Sequence, residues 1–397
     1  MTSLSAKAVS GKARSTGAAA RTGQSVAADA ERSHLRELDW LMLVTVALCC
    51  LGLVMAVSVR GAQIDVGPLV AMKQQGSKLL AGLVVFLLAA LLPMSLVRRA
   101  ALPAFLLATA CCLAVSFLSP EVKGAHRWIR FGSFQFQPVE PARFFLILAV
   151  AWFLARAGSG VSSFRRGFVP TMGCAGLLVG ALLLQPDNGN ALIVLALASC
   201  LSLIGGVRFL HFLPVGLGGL AVFVYAASRH GYVHDRLAGV MQIRPDSQVG
   251  LGLIAVGSGG ALGRGLGQGW MKMGYVPEAH NDFVFAIIAE EFGFLGSLFV
   301  LAAFTAFGFV CYRLVCKVRD PFLRYVVCGY ALMVCMQAAV NLLVVSGWAP
   351  AKGIDLPFVS TGGTSLMFCL AAVGLIGNAA RSDRAGTFST AEESAVS

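Results

Sequence analysis

Ten stretches of this chain are long and apolar enough to cross a bilayer, and little else in a sequence restricts a fold so strongly. They lie at 39–59, 77–97, 100–119, 140–156, 168–185, 190–206, 209–227, 289–312, 325–345 and 364–380. A helix needs roughly 20 apolar residues to span the hydrocarbon layer. In lipid every backbone polar group must be satisfied within the protein, so spanning segments are helices or a closed barrel. Runs of this length and continuity predict helices. Residues are 57% hydrophobic and mean hydropathy is +0.78 over 397 residues, too apolar for a water-soluble domain. The expected fold is an all-α polytopic membrane protein, a bundle of about ten transmembrane helices with one large extracytoplasmic loop at 228–288.

Charge sets the expected orientation. With the N-terminus inside, the inner turns carry Arg98 and Arg99; Arg156, Arg165 and Arg166; Arg208; Arg313, Lys317, Arg319 and Arg324; and Arg381 and Arg384. Short basic turns on one side follow the positive-inside rule. Both ends are then cytoplasmic: a disordered tail at 1–37, a membrane domain at 38–381 and a second tail at 382–397. Residues 1–36 hold no apolar core, and the first apolar run begins near Trp40, later than in a signal peptide. The net charge of +12 does not indicate nucleic acid, because the basic residues are scattered between spans. Most of the 11 cysteines sit inside apolar runs without metal or redox spacing, and read as small buried hydrophobes.

The outer segments hold most of the acids, yet they also carry arginines and lysines against the topological bias. A bound anion on that face explains such an excess. Four constellations there bear chemistry. Pro277–Glu291 reads PEAHNDFVFAIIAEE and gathers Glu278, His280, Asp282, Glu290 and Glu291 in one window. Carboxylates at a membrane boundary are costly unless hydrated, paired or at work. Asp282 precedes Phe283 where water meets the apolar phase, and desolvation there raises a carboxyl toward a useful general base. The ordinary alternative is a carboxylate at a helix start, with Glu290 and Glu291 as buried partners of arginines.

Gly124–Arg143 (GAHRWIRFGSFQFQPVEPAR) sets Arg127 and Arg130 around Trp128. Arginine forms bidentate contacts with phosphate, and tryptophan stacks on a sugar face or anchors at the interface. An interfacial belt before a capped helix accounts for the same residues. Gln185–Asn190 (QPDNGN) places Asp187 where a helix N-cap belongs. Trp348–Ser365 (WAPAKGIDLPFVSTGGTS) sets Lys352 before Ser360 and a Gly-Gly pair, a combination suited to a diphosphate; a lysine snorkelling beside a helix start is its bland counterpart. The GRGLGQG run at Gly263–Gly269 lacks the preceding strand of a dinucleotide fold.

With these motifs in this order, and with the GSGG run at Gly257–Gly260 and a closing VGLIGN, the chain resembles the SEDS family (shape, elongation, division and sporulation) over roughly residues 38–381. PEAH and the lysine of AKG are more similar to its FtsW branch than to its RodA branch. The resemblance implies a glycosyltransferase that polymerises lipid II, a disaccharide-pentapeptide on undecaprenyl diphosphate, into peptidoglycan strands at the outer face of the cytoplasmic membrane of a bacterium, in septal synthesis. It carries the catalytic role to Asp282. It also implies a class B penicillin-binding protein as partner, within the division machinery. Arg127, Trp128, Arg130, Arg236, Gln248, Glu278, His280, Lys352 and Ser360 are candidates for substrate binding. A divalent cation, Mg or Mn, is the only cofactor considered. Departures from the family pattern are Asn281 and Asn190 for threonine, Val139 and Arg143 for serine and lysine, and Thr361 for tyrosine. Competing readings are a lipid II flippase, a non-enzymatic scaffold of the divisome, and a RodA-like elongation polymerase.

Overall fold

The computed structural model describes residues 36–62, 67–118, 127–131, 134–217, 243–350 and 353–384. Among the described residues, eight helices are long and apolar enough to cross a membrane: α1 (Arg36–Arg60), α2 (Gly67–Leu91), α3 (Met94–Leu118), α4 (Val139–Ala157), α5 (Val169–Leu184), α8 (Val284–Lys317), α9 (Pro321–Val345) and α10 (Gly363–Arg384). Two shorter apolar helices complete the described set, α6 (Asn188–Ile204) and α7 (Gln248–Ser258). A two-stranded antiparallel hairpin, β1 (Ile129–Phe131) and β2 (Phe134–Phe136), precedes α4. The helical bundle expected from the apolar runs is therefore present, with the hairpin as a small departure.

The run at 77–97 is displaced. Its helix begins ten residues earlier, at Gly67, and stops at Leu91, because Pro93 has no N–H to continue the ladder. The chain turns there and α3 starts at Met94. Of the run at 209–227, only the residues to 217 are described; they hold a short turn, Phe209–His211, and helical backbone at 212–217.

Burial ranks the helices. α10 is 78% buried over its apolar window and α9 is 61%, whereas α2 is 17%. α10 therefore forms the centre, and α2 lies along it with a lipid-facing back. Gly374 permits this approach: a Cβ there would fall 2.5 Å from the Phe86 carbonyl oxygen. Asn378 donates to the Ala89 and Leu92 carbonyls at 2.9 and 2.6 Å, using acceptors freed where α2 ends.

α8 is broken at Gly293, whose φ of 66° and ψ of −155° leave the helical region. The chain after α7 fills the break. Phe294 and Leu295 donate their N–H groups to the Gly260 and Ala261 carbonyls at 2.9 and 3.3 Å, and Arg264 and Gly265 donate to the Glu290 and Glu291 carbonyls at 3.0 Å each. Gly263 has a φ of 80°, and a Cβ on it would lie 2.1 Å from the Glu291 carbonyl oxygen. The glycine-rich run is thus a backbone splint around the bend.

Two polar clamps join α1 to α8. At one end Glu37, 2% exposed, accepts from Arg313 at 2.8 Å and Lys317 at 3.2 Å. At the other, Ser58 donates to Glu291 at 2.7 Å, while Lys272 meets Glu291 at 2.6 Å and Ser58 at 2.9 Å. Glu290 accepts the Trp270 and Met271 N–H groups at 2.8 and 3.2 Å. The arginine partners expected for these two glutamates are replaced by one lysine, a hydroxyl and backbone amides, all but Ser58 from the splint.

Candidate active site

The segment between α7 and α8 is held from both flanks. Gln248 donates to the Pro277 carbonyl at 2.9 Å. Glu278 adopts a positive φ of 53°, and Asn281 closes the turn by donating its N–H to the Glu278 carbonyl at 3.0 Å. Left-handed backbone on a non-glycine residue persists where its surroundings over-determine it. The His280 ring lies 3.8 Å from the Glu278 carboxylate.

The loop between α9 and α10 clasps this segment. Thr361 donates its N–H to the His280 carbonyl and its hydroxyl to the Asn281 side-chain oxygen, at 3.1 and 2.7 Å. Ser360 donates to the Asn281 carbonyl at 2.7 Å and accepts from the Leu356 N–H at 2.8 Å. Asn341 on α9 donates to both the Asp282 and the Ile354 carbonyls, at 2.8 and 2.7 Å. Asp282 is half-buried just before α8, and its carboxylate rests on Gly353, where a Cβ would lie 3.0 Å from Oδ2. The backbone around this carboxyl is therefore fixed by three side chains from two elements.

A second tier supports the loop. Gln337 donates to the Asp355 carbonyl at 2.9 Å and accepts from Arg143 at 2.9 Å; Arg143, 1% exposed, pairs with Glu140 at 2.5 Å. Thr364 donates to the Gln135 carbonyl at 3.1 Å and accepts from the Gln137 N–H at 3.4 Å, which ties the hairpin to the start of α10. Asp355 keeps some exposed surface, yet desolvation, together with the nearby carboxylates of Glu140 and Glu278, pushes its carboxyl up to about 7 against the opposing pull of Arg143 and Lys78.

Of the residues expected at the site, Asp282, Glu278, His280, Ser360 and Gln248 converge. Arg127 does not join them. It donates to the Pro186 carbonyl at 2.7 Å and lies 3.7 Å from Asp187, fastening the hairpin to the turn before α6. Asp187 caps α6, accepting from the Asn190 N–H at 3.4 Å and its side-chain amide at 2.8 Å. Trp128 is half-buried at the start of the hairpin. Arg130 has its backbone in β1; its side chain, like Arg236 and Lys352, lies outside the described residues. Among the described residues no group of three or more His, Cys, Asp or Glu side chains stands where it would hold a metal ion. Sequence reasoning missed Lys78, Asn341 and Gln337. The first of these had a signal, a lone lysine within an apolar run.

The family model described as cell cycle protein (FtsW/RodA/SpoVE) matches residues 39–385. A probable peptidoglycan glycosyltransferase FtsW from Trichlorobacter lovleyi is 35% identical over 358 residues, covering 87% of this chain and 93% of the relative. Stage V sporulation protein E of Bacillus subtilis is 35% identical over 281 residues, covering 68% of this chain and 77% of the relative. Among solved structures, a chain described under structural coordination of polymerization and crosslinking by a peptidoglycan synthase complex superposes with a TM-score of 0.74 at 28% identity, covering 86% of this chain and 97% of that one. The rod shape determining protein RodA of Thermus thermophilus gives a TM-score of 0.63 at 28% identity, covering 86% and 96%. The fold, the order of the motifs and these likenesses agree: the chain is a multi-pass membrane protein of the FtsW/RodA/SpoVE (SEDS) family.

Proposed function

We propose that this protein is a peptidoglycan glycosyltransferase that polymerises lipid II, with Asp282 as general base. The observation that carries the reading is the seating of Asp282, a carboxyl on a clasped turn at a helix start, with its main chain held by Asn341 and its neighbours by Ser360 and Thr361. A hydroxyl of the incoming sugar attacks the anomeric carbon of the growing strand. Its proton passes to Asp282 as the new carbon–oxygen bond forms, and the bond to the undecaprenyl diphosphate breaks. One displacement inverts the anomeric centre and calls for a single base rather than the carboxylate pair of a retaining hydrolase. Negative charge develops on the departing diphosphate, where nearby cations stabilise it. Catalysis then takes place at the outer face, with both chain ends and their tails (1–37 and 382–397) cytoplasmic and 38–381 as the membrane domain.

The FtsW name of relatives such as that from Trichlorobacter lovleyi favours a septal role. The description of the synthase complex favours a crosslinking partner, a class B penicillin-binding protein. Asp282→Asn is expected to abolish glycan ladders from purified lipid II while leaving expression and thermal stability unchanged. Ladders of normal length from that variant would remove Asp282 from the role, and lipid II crossing vesicles without ladders would favour a flippase.

A further inference from the structure

A polymerase that releases a lipid diphosphate needs a seat for that anion, and this inference rests on the polymerase reading. Lys78 stands well inside α2, thirteen residues from its Leu91 end. It lies one turn from Gln74, which meets Arg60 at the end of α1, and an ionisable group in an apolar run at the membrane boundary is costly unless it is paired or at work. Its Nζ donates to the Thr361 carbonyl at 2.7 Å, and its methylenes run past Gly363 at the first turn of α10. One of its three N–H groups is thereby used. Arg60, the last residue of α1, donates through Nη1 to Gln74 on α2 at 3.0 Å, but its Nε is buried without a hydrogen-bond partner. A buried donor left unmade is expensive unless an acceptor arrives.

The two cations stand within each other's field. Among the described residues neither has a carboxylate oxygen within 4.0 Å. The acids in their range are Glu278 for Arg60 and Asp355 for Lys78, with the Glu140–Arg143 pair behind Asp355. Thr361, which Lys78 holds, is also the residue that clasps His280 and Asn281 beside Asp282. We propose that Arg60 and Lys78 form the seat of the polyprenyl diphosphate, at the junction of α1, α2 and the N-terminal turn of α10. The position suits such a ligand, because the diphosphate of a membrane-anchored lipid sits at headgroup depth while its polyprenyl tail lies against the exposed back of α2. Asp355 assists: holding a proton up to about 7, it withholds a competing negative charge from Lys78 when the anion enters.

The test is binding of undecaprenyl diphosphate to the full chain in nanodiscs, read by thermophoresis, beside ladder synthesis from lipid II. Lys78→Gln and Arg60→Gln are each expected to weaken binding about tenfold, the scale of one charge-assisted hydrogen bond, and together about a hundredfold. Lys78→Arg should restore most of the loss, and inorganic pyrophosphate should displace the lipid. Wild-type affinity in a double variant of unchanged thermal midpoint would overturn the seat, as would failure of pyrophosphate to compete. The unmodified protein supplies a second measurement that needs no stable variant: its affinity should fall as pH rises through about 7, and a flat profile would count against the assignment. Loss of binding in the variants with no ladders from the unmodified protein would instead sink the enzymatic reading and leave the anion seat standing.

Discussion

Lys272→Met is the perturbation whose cost follows most directly from the structure. Lys272 is 4% exposed and Glu291 is 1% exposed, and they meet at 2.6 Å, with the Ser58 hydroxyl as the only further side-chain partner of either among the described residues. Removing the lysine strands a buried carboxylate against one hydroxyl, and breaking such a pair costs about 3–5 kcal/mol. Replacing both members by uncharged groups costs far less, because neither charge is then left alone. Lys272→Met/Glu291→Gln should therefore recover at least about 2 kcal/mol of the loss seen in Lys272→Met. The assay is a double-mutant cycle on unfolding of the purified protein in detergent. Glu290, which depends on the Trp270 and Met271 amides, serves as control: Glu290→Gln should not rescue Lys272→Met. Additive costs in the Lys272–Glu291 cycle would show that the two charges do not neutralise one another, and the account of the splint would fail.

Asn341→Leu removes the amide that serves the Asp282 and Ile354 carbonyls, and should cost about 1–3 kcal/mol for each acceptor left unmade, with a larger relative loss of glycan synthesis than of stability when both are measured on one preparation. Asp355 gives a pH signature. Its folded carboxyl keeps the proton up to about 7, whereas the unfolded chain releases it near 4, so the folded state binds more protons between those values. Stability contributed by this group is thus complete at acid pH and falls as pH rises through that window; Asp355→Asn should flatten the corresponding change in thermal midpoint between about pH 4 and 7, and an unaltered slope would refute the assignment.

The apolar runs made the bundle legible, because the period of bilayer thickness is written in single residues. The site was legible where one short window carries its chemistry: Glu278, His280 and Asp282 lie within five residues, and Ser360 donates to the Asn281 carbonyl among them. Three features escaped for the same reason, that a partner distant in sequence decides them. Lys78 sits in a run that reads only as apolar, and its packing on α10 turns it inward. Arg127 has the residue type of an anion binder, but the Pro186 carbonyl takes its donor. The bend at Gly293 is hidden in an unbroken helical pattern, since the carbonyls that receive the displaced N–H groups come from Gly260 and Ala261. Local propensity does not encode such exchanges.

The two clamps on α1 have a consequence for the lipid around the protein. Glu37 and Ser58 stand twenty-one residues apart, about 31 Å along a helix axis, with an apolar wall between them. That length is fixed by ion pairs rather than by a sliding hydrophobic boundary, so the molecule is gauged to one hydrocarbon thickness. In long-chain bilayers the charges of one clamp would be drawn into the acyl layer or the membrane would have to thin locally, and in short-chain bilayers apolar wall would meet water or the membrane would have to thicken locally. A protein built this way should work within a narrow range of acyl length, with Glu37 and Glu291 as the marks on its scale.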